Sequence, residues 1–393
     1  MATPSLAMIP SAIADSKVYS VLPNNGDGDF SFNRDSSATR IGQNGLIQTV
    51  GFFGSEEVTN GTFDTNSDWS VGSGWTISGG KANVNSTSLA DMSQDIGSST
   101  GKTYKITFEV SNYVSGSVKV LLGYGSTPVS PALTASANGI YEVEATPNVT
   151  NPQRLYISTQ TATSNLSIDN ISVKEVTGDQ PRLNYDISNG VVQSCPSLLL
   201  EPASTNLITY SEDFSNASWT KSESTIEANQ TISPDGTLNA DKLVPSISNT
   251  NNHRINGTFA PTSSNFYTYS IFVKEGGYKS ISLSIGASRL YATFSLTSKT
   301  VAVISANGTD YNQESAAIVD LGNGWLRLSL TGYSVSGIGS GLRVVVSKDE
   351  GSWNYEGQTY QGDGTSGVYI WGAQLEALSY ATSYIPNFGQ SAG

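Results

Sequence analysis

Residues 180–219 read QPRLNYDISNGVVQSCPSLLLEPASTNLITYSEDFSNASW, and this stretch decides how the chain is divided. The segment PRLNYD, a Gly-containing turn and the apolar run at 197–200 are predicted to form one strand pair. No segment immediately upstream has the pattern of a strand that would pair with it. We expect its partner in residues 30–50, where an Asn44-Gly45 turn separates two short alternating segments. Such a turn is a strong hairpin signal.

The composition predicts an all-β chain. Charged residues make up only 13% of the 393 residues, glycine numbers 39, and Ser, Thr and Asn are frequent. Exposed helix faces usually need Glu, Lys and Ala, so this mixture favours strands joined by turns. The length allows two or three domains, each with a core of its own. We therefore expect almost no helix.

Several motifs occur in one order along the chain. They are SFNRDSSATR at 31–40, GLIQTV at 45–50, PRLNY at 181–185, SCPSLLLEPASTNL at 194–207, VYIWGAQLE at 368–376 and TSYIPN at 382–387. The series resembles a family of tailed-bacteriophage virion proteins, mostly fibre, tail-appendage or head-surface proteins. In that family the Gly-Leu-Ile strand commonly runs within a few residues into the Pro-Arg-x-x-Tyr strand. Here residues 51–180 separate the two, which predicts an inserted domain.

The inserted residues alternate with a period of two. The opening is VTNGTFDTNSDWS at 58–70, TYKITFEVSNY and GSVKVLLGYG follow in the middle, and NLSIDNISVKEV at 165–176 closes the module. This order resembles jelly-roll carbohydrate-binding modules, in which an Asn-Gly-x-Phe opening lies beside an Ile-Asp-x-hydrophobic closing strand. The resemblance implies two packed antiparallel sheets.

A second, longer copy of this plan begins at Asn206. Its blocks correspond to the opening, middle and closing blocks of the inserted module in the same order, and they are NLITYSEDFSNASWT, YTYSIFVKEGGYKSISLSIG and GVYIWGAQLEA. This internal repeat predicts two jelly-roll β-sandwich domains. NGWLRLSLTGYSV and SGLRVVVSKDE are expected to add two further strands to the second. The predicted division is an arm at 1–32, a discontinuous connecting β segment at 33–52 and 178–206, the inserted jelly-roll at 53–177 and the C-terminal jelly-roll at 207–393.

The first residues read as an extended docking arm, because Pro4, Pro10 and Pro23 interrupt any regular pattern. The resemblance implies that this arm binds other virion proteins. The run at 25–29, NGDGD, could suggest calcium, but Phe30 and Ser36 stand where an EF-hand needs Gly and Glu. A turn is the better interpretation. Without a basic signal-peptide start, we expect a protein made in the host cytoplasm, and the resemblance implies a location on the virion surface.

Charge and cysteine content exclude some partners. The formal net charge is −13 and the pI is near 4.5, so a nucleic acid backbone would be repelled. No apolar stretch approaches the roughly 20 residues that a membrane helix needs, so no membrane insertion is expected. Cys195 is the one cysteine, which rules out an internal disulfide and predicts a small buried side chain.

The sequence predicts no enzymatic activity. The one histidine, His253, lies in the polar segment SNTNNHRINGTF without a nearby acid partner, and the chain has no Gly-x-Ser-x-Gly elbow. A solvated loop histidine is the expected outcome. Carboxylates are numerous enough for a glycosidase pair, but the short regular repeats usual in tail-spike depolymerases are missing. No cofactor is required.

The resemblance to jelly-roll modules implies a structural calcium ion that ties the opening segment to the last strand. The matching positions are Asp64 and Asp169, with backbone carbonyls near Asn60 completing the ligand shell. Alternatively, Asp64 caps a turn and Asp169 faces water.

Glycan recognition needs flat aromatic faces against sugar C–H edges, with polar partners for the hydroxyl groups. Some aromatic residues near Gly/Ser-rich turns or in the loop DEGSWNYEGQTYQGDG are candidates, although each could instead belong to a core: Trp69, Tyr113, Tyr124, Trp353, Tyr355 and Tyr360. The tryptophans within alternating runs are predicted to be core residues: Trp75, Trp219, Trp325 and Trp371.

The resemblance implies a bacteriophage virion surface protein, and with the candidate aromatic residues it predicts adhesion to cell-surface or environmental glycans. The resemblance also implies a homotrimer. One alternative is a structural head-fibre or capsid decoration protein that binds only other virion proteins. A second alternative is a bacterial carbohydrate-binding surface protein.

Overall fold

The computed structural model describes residues 10–14, 17–20, 30–31, 38–50, 52–99, 102–124, 127–128, 133–145, 153–178 and 181–387. Every regular element in these ranges is a β-strand, which confirms the predicted all-β class. Within the same ranges there is no helix long and apolar enough to cross a membrane.

The predicted arm contains three short antiparallel strands in the order β1-β2-β3. They are β1 (Pro10–Ala14), β2 (Lys17–Ser20) and β3 (Phe30–Ser31). The predicted turn at residues 25–29 lies outside the described residues.

The connecting segment is discontinuous in sequence and continuous in space. Its strands are β4 (Ala38–Ile41), β5 (Ile47–Val50), β18 (Leu183–Asn184), β19 (Ile187–Ser188), β20 (Val191–Val192) and β21 (Ser197–Leu198). The hairpin β4-β5 turns through Gly45, whose φ of 80° suits glycine. Pairing of Leu183 with Leu198 is the expected strand pair. Bonds from Ile41 N to Asn184 Oδ1 and from Tyr185 N to Ile41 O join the two parts.

Residues 52–178 form the first β-sandwich. Its strands are β6 (Phe52–Glu56), β7 (Ser70–Val71), β8 (Trp75–Ile77), β9 (Ala82–Ser86), β10 (Asp91–Ser98), β11 (Tyr104–Ser115), β12 (Val118–Tyr124), β13 (Thr127–Pro128), β14 (Leu133–Ala135), β15 (Gly139–Ala145), β16 (Gln153–Thr159) and β17 (Ser164–Gly178). One sheet has the order β13-β12-β16-β10-β7, with β14 also on β12, and the other has the order β15-β11-β17-β9-β8, with β6 also on β17.

The two ends of the first sandwich meet. β6 pairs with the last part of β17, where Phe52 lies opposite Gly178. The chain therefore leaves the connecting segment after Val50 and returns to it close to the same place. Chain ends that lie close together are usual for inserted domains, and the insertion itself stays a prediction.

The second β-sandwich spans residues 220–376. Its strands are β22 (Thr220–Ser222), β23 (Ser224–Thr231), β24 (Ala240–Pro245), β25 (Asn249–Thr250), β26 (Arg254–Gly257), β27 (Asn265–Gly276), β28 (Ser280–Ile285), β29 (Leu290–Ser295), β30 (Thr300–Ala306), β31 (Tyr311–Gly322), β32 (Trp325–Ser334), β33 (Leu342–Ser347), β34 (Tyr360–Gln361) and β35 (Gly367–Glu376). The sheets have the orders β22-β26-β33-β28-β29-β30 and β23-β24-β35-β27-β32-β31.

The two sandwiches share one topology. One sheet of each sandwich has the matching orders β7-β10-β16-β12 and β22-β26-β33-β28. The other sheet has the matching orders β8-β9-β17-β11-β15 and β23-β24-β35-β27-β32.

One expectation about the second sandwich was wrong. The blocks holding β32 and β33 are not additions, because β15 and β16 are their counterparts. The second sandwich instead adds the separate pair β25–β34 and the strands β30 and β31, which extend the two sheets at one side.

Alternation in the long strands creates each core. In β11, Tyr104, Ile106, Phe108 and Val110 are buried, while the residues between them are half-exposed. Each sandwich has its own cluster of buried apolar side chains. A third cluster places Ile47 of the connecting hairpin against Trp325, Trp371 and Tyr384. The connecting segment therefore packs on the second sandwich.

Candidate glycan-binding surface

Two of the six predicted glycan-binding residues belong to the cores, so their predicted role is wrong. Trp69 is only 8% exposed, lies 5.2 Å from the ring of Phe63 and donates its indole N–H to Asn60 O at 3.1 Å. Tyr360 is 7% exposed and donates its hydroxyl to Val346 O. Neither ring presents a face to solvent. The four tryptophans predicted to be core residues are buried as expected.

Of the other two candidates of the first sandwich, the structure describes the side chain of Tyr113 only. Tyr113 is half-buried, packs against the core of the first sandwich and donates its hydroxyl to Gly116 O at 3.1 Å. The backbone of Tyr124 ends β12, and its side chain lies outside the described residues.

The loop between β33 and β34 carries Trp353 and Tyr355, and both side chains are half-buried. The loop folds back over the outer face of the sheet that contains β28, β29 and β33. Thr293 Oγ1 donates to Trp353 O at 2.7 Å, and the Trp353 indole N–H donates to Asp349 O at 2.9 Å. Because of this cover, Ser282 and Val345 are buried although they point away from the core.

Beside this loop, polar and aromatic side chains form a row across the sheet. Leu342, Val344 and Val346 point into the core, so Arg343 between them points outward. Arg343 pairs with Asn256 on one side and Ser284 on the other. Ser284 in turn pairs with Tyr291. The four outward side chains lie on neighbouring strands in the order Asn256, Arg343, Ser284, Tyr291.

Tyr355, in the loop after β33, lies over this row of side chains. Its ring meets Tyr291 edge to face at 5.8 Å, and the Arg343 guanidinium lies 5.8 Å from the Tyr355 ring centre. Arg254 pairs with Val345 and is thus a diagonal neighbour of Arg343 on the same face. We name the surface formed by Arg254, Ser284, Tyr291, Arg343 and Tyr355 the arginine–tyrosine face.

The electrostatics of the arginine–tyrosine face are unusual for an acidic chain. Burial lowers the pKa of Arg254, and the charge of Arg343 lowers it further. The nearby Glu356 and Tyr355 act in the opposite direction. Asn251 Nδ2 donates to Glu356 Oε2 at 3.2 Å, which holds this carboxylate beside the face. Two positive charges therefore lie together where aromatic rings are also accessible.

Sequence reasoning did not find Arg254, Arg343 or Tyr291. A signal existed for two of them. Arg343 interrupts the apolar run LRVVV, and Tyr291 alternates with the apolar Leu290 and Ala292. Alternation predicts that both point away from the core. That they share one face depends on the pairing of strands far apart in sequence.

The predicted calcium ligands have protein partners. Asp64 is exposed and accepts from Thr62 Oγ1 at 2.7 Å, while Asp169 lies 3.6 Å from Lys81 Nζ. The opening and closing segments do lie side by side, because Ile171 N donates to Gly61 O at 3.0 Å. The described ranges contain no group of three or more acidic, histidine or cysteine side chains that could hold a metal ion. Structural calcium stays a prediction from resemblance.

Two residues differ from expectation. His253 is fully buried rather than solvated, with Nδ1 2.7 Å from Glu223 O, Nε2 3.1 Å from Tyr360 O and its ring against that of Tyr360. Two backbone oxygens within hydrogen-bond distance of the ring nitrogens make the buried position favourable. Cys195 is exposed rather than buried, because it lies in the outer turn before β21.

An acidic cavity of about 300 Å³ lies between the two sandwiches. Among its lining residues, Asp241 accepts from the backbone amides of Phe214 and Asn229, and Glu212 accepts from Tyr384 and Asn239. Burial raises the pKa of Asp241 to about 7 and raises the pKa of Glu212 strongly. These carboxyl groups already serve protein donors. We therefore regard the cavity as a joint between sandwiches and not as the glycan site.

Comparisons with known proteins give the following result. No protein-family model matches the chain, and no curated protein sequence is significantly similar to it. The N-terminal CBM22-1-CBM22-2 tandem domain from Paenibacillus barcinonensis Xyn10C is similar at 12% identity and a TM-score of 0.28, over 84% of this chain and 98% of that chain. An anti-sigma factor domain-containing protein is similar at 9% identity and a TM-score of 0.18, over 78% and 85% of the chains. Structural similarity at these TM-scores says nothing about function.

Proposed function

We propose that this chain is a glycan-binding adhesin of a bacteriophage particle surface, and that the second sandwich makes the glycan contact. The observation that carries the glycan proposal is the arginine–tyrosine face. There, half-buried tyrosine rings stand beside guanidinium and hydroxyl groups on a rigid sheet.

The chemistry of this face suits a sugar. A pyranose ring offers C–H edges that stack on an aromatic face, and its hydroxyl groups need donors and acceptors placed around that ring. Tyr355 and Tyr291 supply the aromatic surface. Arg254 and Arg343 supply donors, and Glu356 supplies an acceptor. The neighbouring Trp353 holds the loop that carries Tyr355, through its bond to Asp349.

The particle location is supported by the order of sequence motifs. On this proposal the N-terminal arm binds other virion proteins, and three chains assemble around one axis. A chain with a net charge of −13 gains no long-range attraction toward an acidic bacterial envelope. Contact must then come from short-range stacking and hydrogen bonds. Repetition over several copies can raise the apparent affinity by ~10²–10⁴-fold.

A glycan array probed with the purified full-length protein tests this proposal. We expect binding to a defined class of glycans, and we expect Tyr355→Ala to weaken it. Absence of binding to every glycan would favour the structural decoration alternative. An intact particle imaged with this protein labelled would test the location separately.

A further inference from the structure

Arg254 and Arg343 are neighbours on one face of the sheet, and neither has an acceptor among the described residues. The same holds for Arg40 and Arg154, which lie elsewhere in the fold, whereas three other arginines have acceptors. Arg182 pairs with Glu201 at 2.7 Å, Arg289 pairs with Asp310 at 3.1 Å, and Arg327 donates to Thr382 O. In the described part of the chain, neither Arg254 nor Arg343 forms an ion pair or donates a side-chain hydrogen bond. The Arg254 Nε atom is buried without a partner. Each guanidinium carries five N–H donors in a planar fork.

This arrangement is costly unless something offsets it. Two like charges on adjacent strands repel each other, and the buried Arg254 Nε–H loses the hydrogen bond that it would make in water. The chain has 33 acidic and 20 basic residues, so carboxylates to neutralise the pair were plentiful. The fold instead leaves the pair uncompensated apart from the nearby Glu356.

The surroundings restrict what can bind. Ser284 lies beside Arg343, and its buried hydroxyl has no partner. The guanidinium of Arg343 lies over the ring of Tyr355, which also meets Tyr291 two strands away. A molecule that carries both an anionic group and a ring could therefore contact the arginines and a tyrosine together. The overall negative charge of the chain disfavours a polyanion with a dense row of phosphates.

We propose that the arginine–tyrosine face recognises the carboxylate of an acidic sugar, such as a uronic or sialic acid residue of a glycan. Arg254 and Arg343 form charge-assisted hydrogen bonds to the carboxylate oxygens, because the planar fork matches a carboxylate in two parallel bonds. The sugar ring packs on Tyr355. This inference rests on the proposed glycan-binding function and adds the class of ligand to it.

The test compares full-length wild-type protein with single variants on an array of carboxylated, sulfated and neutral glycans. Arg254→Gln and Arg343→Gln remove one charge each from the face. Arg343→Lys keeps the charge and removes the planar fork. Lys299→Gln is the charge-matched control, because Lys299 forms an exposed pair with Asp320 in the same sandwich. Thermal unfolding of each variant verifies that it folds.

We expect wild type to prefer carboxylated glycans and each Gln variant to bind them at least about tenfold more weakly, the loss expected for a charge-assisted hydrogen bond. The affinity of Arg343→Lys for carboxylated glycans should lie between those of wild type and Arg343→Gln. Lys299→Gln should bind like wild type. Methyl esterification of a bound uronate glycan should reduce binding to a similar extent.

Three outcomes would overturn the inference in distinguishable ways. Equal binding of neutral glycans, unaffected by the arginine variants, would refute the acidic-sugar proposal and the role of the two arginines, and would leave glycan binding by this chain standing. A preference for sulfated over carboxylated glycans would refute the proposal that the recognised group is a carboxylate. Binding of no glycan at all would refute both proposals.

Discussion

Trp69 and Trp219 occupy the same position in the two sandwiches. Each indole N–H donates to a backbone carbonyl nine residues earlier, Asn60 O at 3.1 Å and Tyr210 O at 2.8 Å. Each ring also packs on a phenylalanine, with centroid distances of 5.2 and 5.1 Å and interplanar angles of 40° and 44°. The tryptophan therefore fastens the opening segment to the core in both copies.

Trp69→Ala should unfold or strongly destabilise the first sandwich. Removal of a buried tryptophan costs about 3–5 kcal/mol, because it leaves a cavity and an unpaired carbonyl. Denaturant unfolding of the wild-type and variant proteins measures the change. Trp219→Ala should have a similar effect on the second sandwich. A Trp69→Ala protein with unchanged stability would show that this ring is not a core residue.

Deletion of the first sandwich should leave a folded remainder. Phe52 and Gly178 are strand partners, so a short linker between Gly51 and Gly178 can replace residues 52–177, which contain the predicted insertion at 53–177. We expect the remaining chain to be soluble and to unfold cooperatively, as followed by circular dichroism. Aggregation of the remainder, together with an unfolded excised piece, would contradict the domain boundaries.

Asp241 should make the stability depend on pH. Burial raises the pKa of its carboxyl from 3.8 to about 7, so the folded state holds this proton more tightly than the unfolded state. The free energy of unfolding therefore falls as the pH rises across this window, by up to about 1.4 kcal/mol per pH unit from this group.

Asp241→Asn isolates that contribution, because asparagine does not titrate. The variant loses one acceptor for the amides of Phe214 and Asn229 and should be less stable at low pH. Its free energy of unfolding, measured with denaturant at several pH values, should fall less steeply than that of wild type. Equal slopes in the two proteins would refute the raised pKa.

The oligomeric state gives another test. The family resemblance implies a homotrimer, with residues before Asn33 contributing to attachment. Light scattering of the full-length protein at micromolar concentration should give three times the mass of the 41.4 kDa chain. A monomer under these conditions would contradict the trimer proposal.

The sequence predicted the fold better than the site. Strand alternation and the repeated blocks were sufficient for two sandwiches, because these signals are local. The same repeat aligns Trp69 with Trp219, whose burial was predicted, and so contained the evidence that Trp69 is a core residue. His253 could not be placed in this way, since its partners, Glu223 and Tyr360, are distant in sequence.

The arginine–tyrosine face could not be predicted either, because its residues are also distant in sequence. Its residues come from β26, β28, β29, β33 and the loop after β33. Only the sheet order and register bring Arg254 beside Arg343, and only the folded loop brings Tyr355 above them. Aromatic residues in a Gly-rich loop indicated the region. The arginine pair required the structure.

The most direct measurement is the affinity of full-length wild type, Tyr355→Ala and Tyr113→Ala for the glycan that binds best on the array. If the second sandwich binds the glycan, Tyr355→Ala should weaken binding about fivefold to tenfold through lost stacking. The melting temperature should stay unchanged, and Tyr113→Ala should bind like wild type. Loss of binding in Tyr113→Ala with unaltered affinity in Tyr355→Ala would contradict this account.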